Sequence, residues 1–264
     1  MSATPSAKIE ACIIDMDGVL WKQERPLINL SQLLDTLSRK GINFSFATNN
    51  ATKTAQQYQE KVLRLFGIHI DTWRFITSAE ATANYVLQHF PAGAKVYIIG
   101  TKELKEALAV NGFEHAETGH VVAVIAGLDP HLTYEKLRHA TILIRNGVPF
   151  IGTNPDKTFP SPEGPIPGAG TILAALETAS DVSPIIIGKP QPTMFKMAIE
   201  RMGTEPHKTL VVGDRLDTDI LGGINAKCKT ALVLTGISTL QDIESCPYKP
   251  DFIGESIIHL FENV

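Results

Sequence analysis

The run Cys12-Ile13-Ile14-Asp15-Met16-Asp17-Gly18-Val19 places two acidic residues directly after a short apolar stretch. The apolar stretch begins at Ile9 and is typical of a buried β-strand. Side chains at i and i+2 of an extended chain point to the same side, so Asp15 and Asp17 are expected to face one pocket. Two close carboxylates repel each other unless a cation or a shared proton lies between them. This run therefore predicts a chemical centre at the end of the first strand.

Short apolar runs alternate with helical patterns along nearly the whole chain. Strands are expected at residues 9–14, 42–46, 75–77, 95–99, 121–126, 149–152, 184–187, 209–212, 230–234 and 251–253. Such alternation predicts an α/β fold with a doubly wound parallel sheet and helices on both faces. Residues 154–170 break the pattern with five prolines and three glycines, and we expect a long loop there.

Polar residues follow four of the expected strands. The four clusters are Asp15 with Asp17, Thr48 with Asn49 and Asn50, Gly188 with Lys189, and Gly213 with Asp214. Ligands of open parallel sheets bind beyond the carboxyl ends of the strands, so we expect all four clusters at one edge. Taken singly, each cluster is also explained by a helix cap or by a solvated surface.

The residue types in these clusters suit one reaction. Carboxylate oxygens from Asp15, Asp17 and Asp214 are the ligands that Mg²⁺ prefers. Lys189 supplies a point charge for phosphate oxygens, and the turn after Thr48 offers a hydroxyl and backbone N–H groups. The sequence therefore predicts a magnesium-dependent hydrolase of phosphate esters.

The combined motifs resemble the haloacid dehalogenase superfamily of phosphatases. The likeness rests on Asp15-Met16-Asp17-Gly18-Val19, Thr48-Asn49-Asn50, Gly188-Lys189-Pro190 and Gly213-Asp214-Arg215-Leu216-Asp217-Thr218-Asp219. More narrowly, the chain resembles the type IIA subfamily of N-acetylglucosamine-6-phosphate, 4-nitrophenyl phosphate, phosphoglycolate and pyridoxal phosphate phosphatases. The narrower likeness rests on Asp17-Gly18-Val19-Leu20-Trp21, Ala47-Thr48-Asn49-Asn50 and Gly152-Thr153-Asn154-Pro155-Asp156.

The resemblance implies a role for each motif residue. Asp15 is the expected nucleophile that forms an aspartyl-phosphate, and Asp17 the expected acid and base. The expected Mg²⁺ ligands are Asp15, the main-chain carbonyl of Asp17, and Asp214. Thr48, the backbone at Asn49 and Asn50, and Lys189 are expected to bind the phosphoryl group. Asp219 is expected to support the metal or Lys189, and Asp217 to cap a helix.

The resemblance also implies two domains. A Rossmannoid core at residues 1–79 and 182–264 is expected to carry the motifs, and an inserted α/β cap of the C2 type at residues 80–181 to screen the active site. Asp129, His131 and Asp156 are candidates for substrate contacts on the cap, although a solvated loop or helix cap is favoured for each. Trp21 either lines the pocket mouth or packs in the core.

Composition limits the partners of the protein. The 264 residues carry a formal net charge of -4 and no long run of one sign, which argues against nucleic-acid binding. Three cysteines without CxxC spacing predict neither a disulfide framework nor a zinc site. Residues 1–8 form a short polar lead without the apolar stretch that a signal peptide has, and no apolar run approaches the ~18 residues of a membrane span. We therefore expect a cytoplasmic protein acting on a small phosphorylated metabolite, with no membrane partner, and the sequence leaves open a homo-oligomer formed through the cap.

Three alternatives stay open at this point. The same machinery serves a mutase or phosphotransferase that passes the phosphoryl group to an acceptor other than water. A signalling receiver domain also forms an aspartyl-phosphate, although the chain length and the inserted segment argue against it. A non-catalytic binding protein on the same fold is the third, and the intact acids and Lys189 argue against it.

Overall fold

A computed structural model describes residues 8–263 of the chain. The polar lead at residues 1–8 therefore lies outside the described residues, except for Lys8. The chain divides into two compact units. The first unit comprises Met1–Thr48, Ala55–Ile76 and Lys189–Val264, and the second comprises Asn49–Thr54 and Thr77–Gly188.

The described residues form short strands and helices in alternation. The strands are β1 (Ala11–Ile14), β2 (Trp21–Lys22), β3 (Arg25–Pro26), β4 (Asn43–Thr48), β5 (Phe75–Thr77), β6 (Lys95–Ile99), β7 (Glu114–His115), β8 (Val124–Ala126), β9 (Phe150–Gly152), β10 (Thr158–Ser161), β11 (Gly164–Pro167), β12 (Ile185–Ile186), β13 (Thr209–Gly213), β14 (Lys229–Val233) and β15 (Phe252–Gly254). The helices are α1 (Leu30–Lys40), α2 (Ala55–Phe66), α3 (Ser78–His89), α4 (Lys102–Val110), α5 (Tyr134–Arg145), α6 (Ala169–Ser180), α7 (Thr193–Met202), α8 (Leu221–Asn225), α9 (Leu240–Ser245) and α10 (Ile257–Asn263). The expected α/β fold is confirmed.

The first unit is built on a six-stranded sheet in the order β15-β14-β13-β1-β4-β5. The pairings of β1 with β4 and β13, and of β14 with β13 and β15, are all parallel. The chain leaves β1 toward β4 on one side and later returns to β13 on the other side. The carboxyl ends of β1 and β13 therefore flank a topological switch point, where open sheets of this kind bind ligands.

Burial explains why β1 occupies the centre of this sheet. Its four residues, Ala11–Ile14, are at most 1% exposed. A strand that is buried on both faces reads as a continuous apolar run, and the sequence has such a run here. The amphipathic helix α1 covers the sheet with Leu30, Leu33 and Leu37, and its C-terminus ends at Gly41 in the left-handed conformation.

The second unit has a five-stranded sheet of its own, in the order β12-β9-β8-β6-β7, with parallel pairings. This sheet corrects one expectation. The strand before Lys189 was placed in the same sheet as the other three motif strands, but β12 pairs with β9 in the second unit. The alternating pattern does not specify strand partners, so the sequence could not distinguish the two sheets.

Residues 154–170 also differ from the expected loop, because β10 and β11 form an antiparallel hairpin within them. The prolines fall at compatible positions. Pro160 pairs with Pro165, and Pro167 pairs with Thr158, two residues along. Residue pairs of an antiparallel ribbon alternate between hydrogen-bonded and non-hydrogen-bonded, and proline fits the latter because it lacks an N–H. A proline-rich stretch can therefore form an antiparallel ribbon when its prolines all fall in pairs of the non-hydrogen-bonded type.

Two observations concern the chemistry of the whole chain. Cys12, Cys228 and Cys246 are all free thiols. Burial raises the pKa of the Cys12 thiol above its ordinary value, and it raises the pKa of Cys228 to about 12. Within residues 8–263, no helix combines the length and the apolar character needed to cross a membrane.

Candidate active site

A buried lysine joins two acidic side chains at the switch point of the first unit. Lys189 is 3% exposed, and its Nζ donates to Asp15 Oδ1 at 2.5 Å and to Asp219 Oδ1 at 2.6 Å. The Ala47 carbonyl, near the end of β4, accepts a third hydrogen bond at 3.2 Å. Lys189 therefore links β1, β4 and the segment after β13. Lys189 is the first residue of the segment Lys189–Val264, with which the chain re-enters the first unit.

Asp214 completes a cluster of three carboxylates. Oxygen atoms of Asp15, Asp214 and Asp219 all lie within 4.8 Å of one another. Asp214 directly follows β13, and a π-helical turn over Leu216–Ile220 carries Asp219 back toward the strand end. π-Helical turns are rare and are frequent at functional sites. The atoms of the cluster that could bind a metal are all carboxylate oxygens, and such hard ligands suit a divalent cation.

The electrostatics of the cluster favour an added cation. Three carboxylates face one ammonium group. Burial raises the pKa of Asp15 well above its usual range; Lys189 opposes this rise, and the carboxylates of Asp219 and Asp214 add to it. Burial, together with Asp219, raises the pKa of Asp214 to about 6. Burial alone would lower the pKa of Lys189, but Asp15 and Asp219 outweigh it and raise that pKa, so the lysine stays charged. A divalent cation would relieve the remaining excess of negative charge.

Asp17 is held by a side chain from its own turn. The indole Nε1 of Trp21 donates to Asp17 Oδ1 at 2.9 Å. Gly18, between them, adopts a φ of 88°, a left-handed conformation that favours glycine. A Cβ at Gly18 would also lie 2.5 Å from Asp214 Oδ2. The glycine of the Asp17-Gly18 motif therefore serves both the turn and the approach of Asp214.

The expected phosphate-binding residues of the second motif fall on both sides of the unit boundary. Thr48 ends β4 and is buried in the first unit. Asn49 and Asn50 belong to the second unit, where the Asn49 carbonyl accepts from Ser78 Oγ at 2.5 Å and from Asn154 Nδ2 at 2.7 Å. Asn50 Oδ1 accepts hydrogen bonds from the backbone N and from the hydroxyl of Thr52, and these two contacts form a tight turn. Their role in phosphate binding stays a prediction.

The candidate residues of the expected cap have structural contacts within the second unit. Asp129 is buried and accepts from the backbone N of His131 at 2.9 Å and from Lys136 Nζ at 2.7 Å. Asp156 Oδ1 accepts from Asn49 Nδ2 at 3.2 Å. These contacts support the structural interpretation of Asp129, which stabilises the turn before α5.

Asp217 lies in the first turn of the π-helical segment, where, after the hydrogen bonds from Arg215, those from its own backbone N–H and from that of Thr218 help to lower its pKa, and its role as a helix cap stays a prediction. Its carboxylate pairs with the Arg215 guanidinium through two hydrogen bonds of 3.0 and 2.8 Å, and the pair lies toward solvent. The hydrogen bonds from Arg215 lower the pKa of Asp217. Asp217 therefore differs from Asp214 and Asp219, which lie on either side of it in sequence and are buried.

A loop after β14 supports Asp214, and sequence reasoning missed it. The backbone N of Ile237 donates to Asp214 Oδ2 at 2.8 Å, and the backbone N of Ser238 donates to the Asp214 carbonyl at 3.0 Å. Thr235 Oγ1 donates to the Gly18 carbonyl at 2.5 Å. The signal in the sequence was a fifth strand end, with Thr235-Gly236 directly after the strand expected at 230–234. These residues carry no charge, so they did not stand out.

We expect Gly236→Ala to weaken divalent-cation binding about 10- to 100-fold, as loss of a supporting contact does at other metal sites. A Cβ at position 236 would lie 1.8 Å from Asp214 Oδ2, so the carboxylate must move. Calorimetric titration with MgCl₂ measures the effect. Gly100→Ala is the matched control, because its added methyl group meets the flexible end of Leu104 in the second unit. Equal affinity in the Gly236→Ala variant and the wild type would contradict this role.

The chain matches a sequence model of haloacid dehalogenase-like hydrolases at residues 12–114 and a model described as HAD-hydrolase-like at residues 186–260. The first match contains Asp15 and Asp17, and the second contains Lys189, Asp214 and Asp219.

Three similar proteins span nearly the whole chain. An acid sugar phosphatase of Staphylococcus aureus (strain USA300) is 40% identical over 257 residues, which cover 95% of this chain and 98% of that protein. A solved 4-nitrophenylphosphatase from Thermotoga maritima superposes with a TM-score of 0.90 at 38% identity, over 96% of this chain and 97% of that one. A glycerol phosphate phosphatase from Mycobacterium tuberculosis, solved in complex with calcium, gives a TM-score of 0.86 at 31% identity, over 95% of this chain and 74% of that one.

Proposed function

The chain belongs to the haloacid dehalogenase-like hydrolase family as a phosphatase of phosphomonoesters, and we propose that it hydrolyses small phosphorylated metabolites with Mg²⁺ through an aspartyl-phosphate. The buried group of Asp15, Lys189, Asp214 and Asp219 carries this proposal. It combines a nucleophilic carboxylate, a fixed positive charge and a cation site at one strand edge. Phosphoryl transfer needs these three elements.

The two acids of the first motif divide the work. An Asp15 carboxylate oxygen attacks phosphorus, and the bond from phosphorus to the leaving oxygen breaks. Asp17 donates a proton to that oxygen, and the alcohol departs. Water then attacks the phosphorus of the aspartyl-phosphate and gives a proton to Asp17. Inorganic phosphate leaves, and Asp15 is restored as a carboxylate. A nucleophile of this kind splits one difficult step into two easier ones.

Positive charge offsets the charge of the transferring group. Lys189, already bonded to Asp15 at 2.5 Å, offers its ammonium to phosphoryl oxygens, and the Thr48 hydroxyl and the backbone at Asn49 and Asn50 contribute donors. Asp15, Asp214 and the main-chain carbonyl of Asp17 would hold Mg²⁺, which, when bound, stabilises negative charge on the phosphoryl group. Asp219 supports Lys189 at 2.6 Å.

The second unit is proposed as the cap that selects the substrate. The bounds of the cap domain in this proposal are those expected from the sequence, residues 80–181. Candidate substrates are sugar phosphates, glycerol phosphate, phosphoglycolate and pyridoxal phosphate, the first two because similar phosphatases carry these names. The three free thiols fit a reducing compartment, which supports a cytoplasmic location. A homo-oligomer formed through the cap belongs to the same proposal.

Removal of divalent cations should reduce phosphatase activity about 100-fold or more, since a catalytic metal contributes several kcal/mol. The test is a panel of phosphorylated metabolites assayed with MgCl₂, with excess EDTA, and after MgCl₂ is restored. Inorganic phosphate should appear in proportion to the substrate consumed.

Each part of the proposal fails on a different outcome of this assay. Full activity in EDTA would remove the metal from the mechanism. Consumption of substrate without phosphate release would favour a phosphotransferase or mutase. No turnover of any phosphomonoester would contradict the hydrolase proposal itself.

A further inference from the structure

Trp21 is a buried side chain, and its indole N–H is hydrogen-bonded to Asp17. The residue is 0% exposed, and its Nε1–H donates to Asp17 Oδ1 at 2.9 Å. A buried indole N–H needs an acceptor. Many acceptors would satisfy it, such as a backbone carbonyl of the core. The acceptor here is the carboxylate that the proposed function makes the acid and base.

The turn between the two residues fixes their distance. The Gly18 N–H donates to the Trp21 carbonyl at 2.8 Å, and the Leu20 N–H donates to the Met16 carbonyl at 2.8 Å. Trp21 then begins β2, which pairs with β3 in a short hairpin. The chain is therefore closed by backbone hydrogen bonds over residues 16–21, and the indole and the carboxylate face each other within this closed turn.

Neighbouring side chains hold the indole ring in place. Tyr58 stacks at 6.5 Å between ring centroids, and Phe66 lies at 6.3 Å. Lys61 places its Nζ 4.4 Å from the ring centroid and donates to the Gln23 carbonyl in the hairpin turn at 2.7 Å. Tyr58, Lys61 and Phe66 all belong to α2, so the indole ring and its N–H are held against that helix.

We propose that Trp21 is a positioning residue that, through its hydrogen bond to Asp17 Oδ1, fixes the orientation in which the Asp17 carboxyl group transfers the proton. The assignment rests on the proposed function and adds the residue that orients its acid and base. Because the indole N–H is held by its neighbours, it orients the carboxyl group about its Cβ–Cγ bond.

The proton transfer balances as follows. As Asp15 forms its bond to phosphorus, the bond from phosphorus to the leaving oxygen breaks, and its electron pair stays on that oxygen. The proton on the Asp17 carboxyl group moves to this oxygen, so the leaving group departs as a neutral alcohol or phenol. Asp17 becomes a carboxylate and later accepts a proton from the attacking water. Oδ1 stays bonded to the indole throughout.

The experiment compares Trp21→Phe with the wild type on aryl phosphates that differ in the basicity of the leaving phenol. Phenyl phosphate needs a proton on its leaving oxygen more than 4-nitrophenyl phosphate does, because nitrophenolate is a weak base. Phenylalanine keeps an aromatic ring and removes only the N–H donor and part of the ring volume. We expect kcat/KM to fall about 30-fold for phenyl phosphate and less than about 3-fold for 4-nitrophenyl phosphate, within the range of general acid catalysis.

Two controls separate positioning from packing. Phe66→Leu loosens the packing on the indole but keeps its N–H, so both substrates should change by the same factor. If Trp21→Phe does not fold, replacing Trp21 with β-(3-benzothienyl)alanine exchanges the N–H for sulfur in the same outline. In an Asp17→Asn background the loss of the indole N–H should add no leaving-group dependence, because it acts through Asp17.

The outcomes distinguish this proposal from the proposed function. A wild type without activity on any aryl phosphate would sink the phosphatase mechanism. An active wild type with equal losses for the two substrates in Trp21→Phe, or in the benzothienyl variant, would overturn the positioning role. A loss that grows with leaving-group basicity, seen in those variants and not in Phe66→Leu, would support it.

Discussion

Asp15→Asn is expected to abolish turnover, with a loss in kcat of about four orders of magnitude or more, while the chain keeps its fold. A neutral amide oxygen is a poor nucleophile, and it cannot form the aspartyl-phosphate. The two side chains have nearly the same shape. Burial already raises the pKa of Asp15, so the native state gains little from its charge. Lys189 keeps its contact with Asp219 at 2.6 Å when the charge at position 15 is lost.

Phosphate release from 4-nitrophenyl phosphate and a thermal unfolding curve test the two halves of this expectation. The matched control is Asp217→Asn, the same chemical change at an exposed residue that pairs with Arg215. The control should retain activity. A Tm within a few degrees of the wild type, together with lost turnover, assigns Asp15 to the chemistry. Near-normal turnover in the Asp15 variant would remove it as the nucleophile.

The centre of the fold was predictable because burial leaves a direct trace in the sequence. Strands β1 and β13 are buried on both faces, so each reads as a continuous apolar run, and the acid after each run marks its carboxyl end. Asp15 and Asp214 were therefore expected at one edge, and the structure brings their oxygens together within 4.8 Å. Because β1 and β13 are adjacent and parallel, their carboxyl ends lie side by side, and the acids that follow them are therefore close together.

Lys189 shows what such patterns do not contain. The sequence singled out Lys189 but placed the strand before it in the wrong sheet, since β12 pairs in the second unit. Strand pairing depends on contacts between segments that are distant in sequence, and a run of four apolar residues does not indicate which strand it pairs with. Lys189 belongs to the cluster because the segment after the crossover carries it there, not because a strand of the six-stranded sheet ends before it.

Uncharged residues of the site were the hardest to predict. Gly236 and the Ile237 N–H support Asp214, but backbone donors and glycines leave no chemical signature in a sequence. Trp21 was left between a pocket role and a packing role for a related reason. Its burial is compatible with both, and only the 2.9 Å hydrogen bond to Asp17 separates them.

Lys189→Met is expected to lower both activity and stability, because one buried ammonium serves two carboxylates. Methionine keeps most of the length of the side chain and removes the charge. The cluster would then hold three carboxylates without a fixed positive charge. Breaking a buried ion pair in this way costs about 3 kcal/mol or more. Loss of the donor to the phosphoryl group should reduce kcat/KM about 100-fold or more.

The stability loss should depend on pH in one direction. Lys189 lowers the pKa of Asp15, so its removal raises that pKa further. A carboxyl group whose pKa is raised in the folded state favours folding when it is protonated, and this contribution is lost as pH rises through the raised pKa. The deficit in the free energy of unfolding, relative to the wild type, should therefore be small near pH 5 and grow toward pH 8. Lys196→Met, at an exposed position of α7, is the matched control and should show no such trend.

Denaturant unfolding at several pH values, in EDTA and in MgCl₂, measures this effect. Divalent cation should restore part of the lost stability, since it supplies positive charge to the same carboxylates and binds only the folded chain. A Lys189→Met variant as stable as the wild type at pH 8 would mean that the carboxylates are neutralised without the lysine. A deficit that shrinks as pH rises would contradict the charge balance from which the role of Lys189 was argued, because uncompensated carboxylates repel most when all of them are ionised.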